Sequence, residues 1–557
     1  MNEARNASRE TERSRRTGVS TWLPGRFRTT AARFGGGAAV FALLGTAVSL
    51  PATPPAMRPL FGLCGLLLGA TLAGVAVWGP AMVGRYRRRQ AIGAAPALVA
   101  FVIVHLELRP SLEAALDRVA DALHGQLARS LATHRIAEPT GRRALEAFAS
   151  EWADLDPSLR RSATLLRAAT DIPDQERGAV LERALEIVLD GSRDRVARFG
   201  AAIRGPAMGI YAFGVMLPLA LVGMLPVVAS TGGAVPMVIL VGLYDVLVPL
   251  GLLVASGWLA AKRPAVATQE VSPVVFAAAP EFRRTVPVGA GVAAVASVGA
   301  WLFVPGWAVP IVAAGTGVGA GLLYHLGPVR DRQSTLGSLD AGLPDALAIV
   351  GRRIADGQPV ERTLGTVADR LSGPTGRLFQ RADRRCDRLG TTVAGAFFGP
   401  MGALPSDAST RAGTTLELVA IAGDHGAPAG DTLQSVGQYL ETLEQVEREA
   451  RRELGQTTST LRQTATLFAP AIAGATVAMA TGMDAAEAPG QAVDVSILGT
   501  VIGVYVVLLA VILPSLSVVL ERGLDPVRMG YRSGTALVST GVVYPLAYLG
   551  ASALVYI

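Results

Sequence analysis

Residues 96–123 read PALVAFVIVHLELRPSLEAALDRVADAL, and residues 344–371 read PDALAIVGRRIADGQPVERTLGTVADRL. At a constant offset of 248, Pro96 meets Pro344, Glu113 meets Glu361, Leu116 meets Leu364, and Val119-Ala120-Asp121 meets Val367-Ala368-Asp369. The match runs on through Gly125 with Gly373 and Arg129 with Arg377. Similarity at this distance points to a duplicated domain, not to a short-period solenoid. Each copy reads as a helical hairpin. Pro96 and Pro344 suit a first helical turn, where the missing N–H would be unpaired anyway. The first helix stops at Arg109-Pro110-Ser111 or at Asp356-Gly357-Gln358-Pro359. Glycine permits positive φ there, and proline pre-sets the next helix start. The second helix carries Leu112, Leu116, Val119, Ala120 and Leu123, or Val360, Leu364, Val367, Ala368 and Leu371, which is one face of an α-helix.

Outside these hairpins the chain is apolar. Of its 557 residues, 50% are hydrophobic and 17% are charged, with a mean hydropathy of +0.40. A soluble domain carries about 25% charged residues, so the balance argues against a soluble enzyme. Nine windows approach or exceed the ~20 apolar residues that span a bilayer: 34–50, 60–84, 205–228, 235–261, 286–304, 308–326, 466–483, 495–520 and 533–557. The expected fold is therefore all-α, a polytopic membrane protein of about nine transmembrane helices with two duplicated helical-bundle domains.

The basic residues order these spans. Fifty of the 51 Lys and Arg fall before residue 34 or in 85–204, 262–284, 328–465 and 521–532, and Arg58 alone lies in a loop of the other set. The positive-inside rule then places the N-terminus and both long polar regions in the cytoplasm, and an odd span count leaves the C-terminus outside. The expected organisation is a basic tail 1–33, a transmembrane hairpin 34–84, a first cytoplasmic helical domain 85–204, four spans in 205–327, a second cytoplasmic domain 328–465 and three spans in 466–557. The charged run ETLEQVEREARRE at 441–453 places Glu444 four residues before Arg448 and Glu447 four before Arg451. That spacing fits a helix projecting from the membrane toward the span at 466.

Two motifs carry a family resemblance. Gly357-Gln358-Pro359-Val360-x-x-x-Leu364 resembles the Gly-x-Ser/Pro-hydrophobic-x-x-x-Leu signature of the type II secretion system F domain. Gly426-x-x-x-Gly430-Asp431-Thr432-Leu433, running on to Val436, Tyr439 and Leu440, resembles that domain's second glycine-rich helix start. The family is the inner-membrane platform protein of type II secretion systems, type IV pili and archaella, and two F domains in one chain look like the archaeal members. The resemblance implies a non-enzymatic scaffold in the cell membrane that couples a cytoplasmic hexameric ATPase to assembly of pilin-like or archaellin subunits. It further implies a homodimer in the lipid bilayer, no cofactor and no nucleic acid. The first copy departs from the pattern, with Arg109-Pro110 where the second has Gly357-Gln358.

The residues themselves exclude much else. No GxxxxGK[ST] loop is present, so the chain has no phosphate cradle of that kind. Two cysteines and five histidines, with no HExxH or CxxC, give neither a disulfide scaffold nor a metal signature. The F-domain motif residues Gly357, Pro359, Leu364, Gly426, Gly430 and Leu433 read first as determinants of the fold. Arg381, Arg384, Arg385 and Arg388 form a dense basic run that is either an electrostatic dock for the ATPase or a solvated, self-paired helix face. Asp245 lies inside the fourth apolar window, where an ionisable group is costly and faces a bundle interior. A hydrogen bond to a neighbouring helix is its expected role, and a role in subunit passage or ion flow is the alternative. His325 and Glu521 sit at span ends, within reach of the interface. The competing class is a polytopic transporter with duplicated halves.

Overall fold

The computed structural model describes residues 88–89, 91–108, 111–122, 125–138, 140–230, 237–262, 278–425, 428–484 and 495–555. Every regular element among them is helical. The chain forms two compact units. Of the smaller one, the described part is α8 (Met237–Val241) and a π-helical turn, Gly242–Leu247. All other described residues belong to the larger unit.

The larger unit begins with five helices: α1 (Ala95–Leu108), α2 (Leu112–Ala122), α3 (Gln126–Ala137), α4 (Gly141–Trp152) and α5 (Pro157–Ala169). Local chemistry sets their starts. Thr140 accepts the Arg143 N–H at the start of α4, and Asp156 accepts the Ser158 N–H at 3.0 Å at the start of α5. Such caps satisfy N–H groups that the helix leaves unpaired. Glu113 of α2 accepts the Gly141 N–H at 3.0 Å, so one helix face also caps the next helix but one. Leu112, Leu116 and Val119, the face expected from the spacing, enter one core with Leu98, Leu131, Phe148, Trp152 and Leu166.

α6 (Asp174–Tyr211) follows, then a π-helical turn, Ala212–Met216, and α7 (Leu217–Ser230). From Gln175 to Met224 the chain is helical for 50 residues, about 75 Å at 1.5 Å per residue. The expected limit between polar domain and span at 204/205 is therefore not a break in the chain. α9 (Val248–Lys262), α10 (Phe282–Phe303) and α11 (Val309–Ala341) come next.

A second polar assembly then forms from α12 (Leu343–Ala355), α13 (Val360–Arg370), α14 (Gly373–Leu389), α15 (Val393–Phe398), α16 (Thr410–His425) and α17 (Pro428–Gln463). α13 starts and ends 248 residues after α2, and α12 starts 248 residues after α1. A π-helical turn, Thr464–Phe468, leads from α17 into α18 (Ala469–Asp484), before α19 (Val495–Arg522) and α20 (Pro526–Val555). The helix pairs expected at 441–453 form: Arg448 lies 3.6 Å from Glu444 and Arg451 3.6 Å from Glu447. The two polar assemblies share a core. Ala100 and Val104 of α1 and Leu189 of α6 pack with Leu347, Val350, Leu433 and Leu440 of the second assembly. Arg204 of α6 lies 3.8 Å from Glu453 of α17.

Seven helices among the described residues are long and apolar enough to cross a membrane, compatible with a multi-pass membrane protein. They coincide with the last seven of the nine apolar windows; windows 34–50 and 60–84 lie outside the described residues. α11 packs between α10 and α20. Its run Gly315-Thr-Gly-Val-Gly-Ala-Gly321 lays glycines on opposite sides of one helix. A Cβ at Gly319 would stand 2.7 Å from the Gly534 carbonyl of α20, and one at Gly317 would stand 2.6 Å from Ala293 Cβ of α10. Small residues in this spacing let helix backbones approach closely in lipid.

Candidate functional site

The turn at Gly357 closes α12. Asp356 N–H donates to the Arg352 carbonyl at 3.0 Å and Gln358 N–H to the Arg353 carbonyl at 2.9 Å. Gly357 has φ +81°, a value glycine adopts without the penalty a side chain brings. Pro359 is extended at the head of α13, and behind it Val360 and Leu364 are buried in the core with Leu378, Phe379 and Phe397. Gly357 and Pro359 are exposed, and Leu364 is fully enclosed.

Gly430 does a different job. It lies in the first turns of α17, where a Cβ would come 2.7 Å from the Gly351 carbonyl and 2.5 Å from the Ala355 nitrogen. The antiparallel helices α12 and α17 touch backbone to backbone along this seam, and Gly437 continues it against Pro344 and Leu347. Leu433 is buried beside it. Gly426 lies outside the described residues. Further along α17, Glu447 pairs with Arg411 of α16 at 2.6 Å, both half-buried. Burial works against the Arg411 charge, and Glu447 more than offsets it, so the guanidinium stands above its ordinary value. Burial pushes the neighbouring Tyr439 phenol well up.

The four arginines of α14 lie on its outer side. Arg381, Arg384 and Arg388 are exposed and Arg385 is half-buried, with Arg377 extending the strip. Among the described residues none of the four forms an ion pair; Arg381 Nε donates to the Arg377 carbonyl at 3.4 Å. Most of the strip is therefore solvated, with the carboxylates Asp383 and Asp387 interleaved along the same helix. Asp383 turns partly inward, and its carboxyl is raised by burial and by Asp387 and Asp369, against the Gly365 N–H and Arg384. At the equivalent place the first assembly has Arg135, which pairs with Asp117 at 2.9 Å. Its turn residues Arg109 and Pro110 lie outside the described residues.

Several polar contacts had no sequence signal beyond their residue types. Asp156, almost fully buried, pairs with Arg195 at 2.6 Å. Arg332 of α11 grips Asp407 with two bonds of 2.7 Å, tying the loop before α16 to the long helix. Glu151 accepts from Ser130 and His134, while Arg88 lies over the adjacent Trp152 ring. Glu521, expected only to reach the interface, accepts from Thr458 at 2.6 Å and from Arg532 at 2.8 Å. It thereby links α17, α19 and α20. Nearby Asp525 is raised by burial, in spite of Arg522 and Arg532. His325 Nδ1 meets the Thr285 hydroxyl at 3.1 Å.

Asp245 stands in the π-helical turn Gly242–Leu247, within the apolar helix Ile239–Lys262. It is half-buried, and its Oδ1 is enclosed without a hydrogen-bond partner among the described residues. The expected hydrogen bond to a neighbouring helix is thus not found at that atom. No family model, no curated protein and no solved structure matches this chain.

Proposed function

We propose that this chain is a non-enzymatic membrane platform with two F-type domains, on which a cytoplasmic hexameric ATPase drives assembly of pilin-like or archaellin subunits. The single observation that carries the reading is the hairpin α12–α13. Its glycine turn, buried Leu364 and Gly430 seam give a physical role to the motif residues that resemble the F domain. The recurrence of α2 as α13 at an offset of 248 supports duplication. Unbroken helices from packed polar assemblies into apolar ones supply a route by which force on the domains reaches the bundle. Nine spans, an inside N-terminus, an outside C-terminus and a homodimer complete the picture. The unpaired arginine strip on α14 is the ATPase contact within it.

The test is the joint replacement of Arg381, Arg384, Arg385 and Arg388 by Gln. Glutamine keeps helix propensity, and surface side chains that form no ion pair, three of these four exposed and Arg385 half-buried, contribute little to stability, so the protein level stays near wild type. Co-purification with the cognate ATPase falls, and filaments are lost. Normal binding and normal filaments in the variant return the strip to a solvated helix face. A transporter is the second reading, favoured by the enclosed Oδ1 of Asp245. It predicts solute uptake that depends on Asp245 and needs no ATPase.

A further inference from the structure

The two long helices share an irregularity. In each, a π-helical turn ends two residues before a buried proline: Ala212–Met216 before Pro218, and Thr464–Phe468 before Pro470. The two prolines, and the two turns, are separated by the same 252 residues. In each, the last five-residue backbone bond falls just ahead of the proline, from Leu217 N–H to the Ala212 carbonyl and from Ala469 N–H to the Thr464 carbonyl.

A proline inside a helix has no N–H to give and crowds the carbonyl four residues back. Those carbonyls are Gly214 and Thr466. Each is taken by a hydroxyl from another helix: Tyr505 of α19 donates to the Gly214 carbonyl, and Ser539 of α20 donates to the Thr466 carbonyl, both at 2.5 Å. In an apolar setting a freed carbonyl without a partner is expensive, and neighbouring side chains are the usual remedy. Two copies of the same solution, with different hydroxyl residues from different helices, mark a repeated device. Proline and π-helical turns are also the ordinary causes of sharp helix bends.

We propose that Gly214–Pro218 and Thr466–Pro470 are clasped joints: the polar rods α6 and α17 bend there against the apolar bundle when the Tyr505 or Ser539 hydroxyl lets go. The Thr458–Glu521 hydrogen bond, on the polar side of the second joint, helps to hold the straight position. The inference stands on helix geometry and does not depend on which partner moves the rods. Residue 448 lies about 33 Å along the helix from Pro470 at 1.5 Å per residue. A bend of about 20° therefore displaces it by about 11 Å.

The experiment uses the full chain in lipid nanodiscs. Hydrogen exchange is followed at 464–475 in Ser539→Ala, Pro470→Ala and the double variant, and at 212–223 in Tyr505→Phe, Pro218→Ala and their double. Loss of one hydrogen bond speeds local exchange about two- to tenfold, and that acceleration vanishes in the proline-free background, where the backbone again satisfies the carbonyl. Spin labels at positions 448 and 542, in a chain with Cys64→Ala and Cys386→Ala, show a distance distribution that widens in Ser539→Ala and narrows in Pro470→Ala. Equal acceleration with and without the proline, or one distribution width in all variants, overturns the joints. If Tyr505→Phe does not fold, the Ser539 joint decides alone.

Discussion

Replacing Gly430 by alanine probes the seam on which the second polar assembly rests. The new methyl carbon would lie 2.5 Å from the Ala355 nitrogen and 2.7 Å from the Gly351 carbonyl oxygen. Both are backbone atoms, so neither can rotate away, and the helices α12 and α17 have to separate by most of an ångström. Overpacking of this kind costs about 1–3 kcal/mol, and the rigid backbone on both sides puts the expected value at about 2–3 kcal/mol. Hydrogen exchange of the full chain in nanodiscs reads this as a rise of about 30- to 150-fold in opening across both α12 and the first turns of α17. Gly357→Ala is the control. It meets nothing within 4 Å but must hold φ +81°, at a cost of about 1–2 kcal/mol, and its effect stays at the end of α12 without loosening Gly430. Unchanged exchange in Gly430→Ala, or a disturbance no wider than that of Gly357→Ala, refutes the backbone seam.

Reporter fusions after residues 150 and 400 both read cytoplasmic and one near residue 488 reads outside; opposite faces for the first two break the equivalence of the two assemblies. The purified chain does not turn over ATP, and hydrolysis that persists after every contaminating ATPase is removed rules out the scaffold. Hydrogen bonds from Arg332 hold the Asp407 carboxyl below its ordinary value. The folded pKa is the lower one, so this contribution is complete above about pH 4 and is lost as the pH falls through the folded value. Protease resistance of the loop before α16 follows that loss as the pH falls below the ordinary carboxylate range, and in Asp407→Asn the loop is cut readily at every pH. An acid step that survives in Asp407→Asn belongs to another group.

The hairpins were legible because helical periodicity names the buried face: Leu112, Leu116 and Val119, like Val360, Leu364 and Val367, are interior. The seven apolar helices were legible because length and hydropathy suffice. Partners were not. Asp156 and Arg195, or Arg332 and Asp407, stand far apart in the chain, and nothing in local spacing brings them together. The shared core between α1 and α12–α17 was missed for the same reason, since an all-round apolar run such as α1 says that it is buried without saying against what. Gly430 was singled out from a motif, yet its reason is a neighbour's backbone. The arginine strip was visible as a run of charge, whereas the partly inward turn of Asp383, against the Gly365 N–H, required positions in space.

The two-sided glycine helix α11 has a consequence for how the protein is made. Its first partner, α10, precedes it directly, so that pair can form as soon as both have left the ribosome. Its second partner, α20, comes only after residues 342–525, about 10–40 s of synthesis at about 5–20 residues per second. For that interval the side of α11 carrying Gly315 and Gly319 lacks the helix that packs on it. A chain truncated before α20 leaves α11 with one glycine side unclosed.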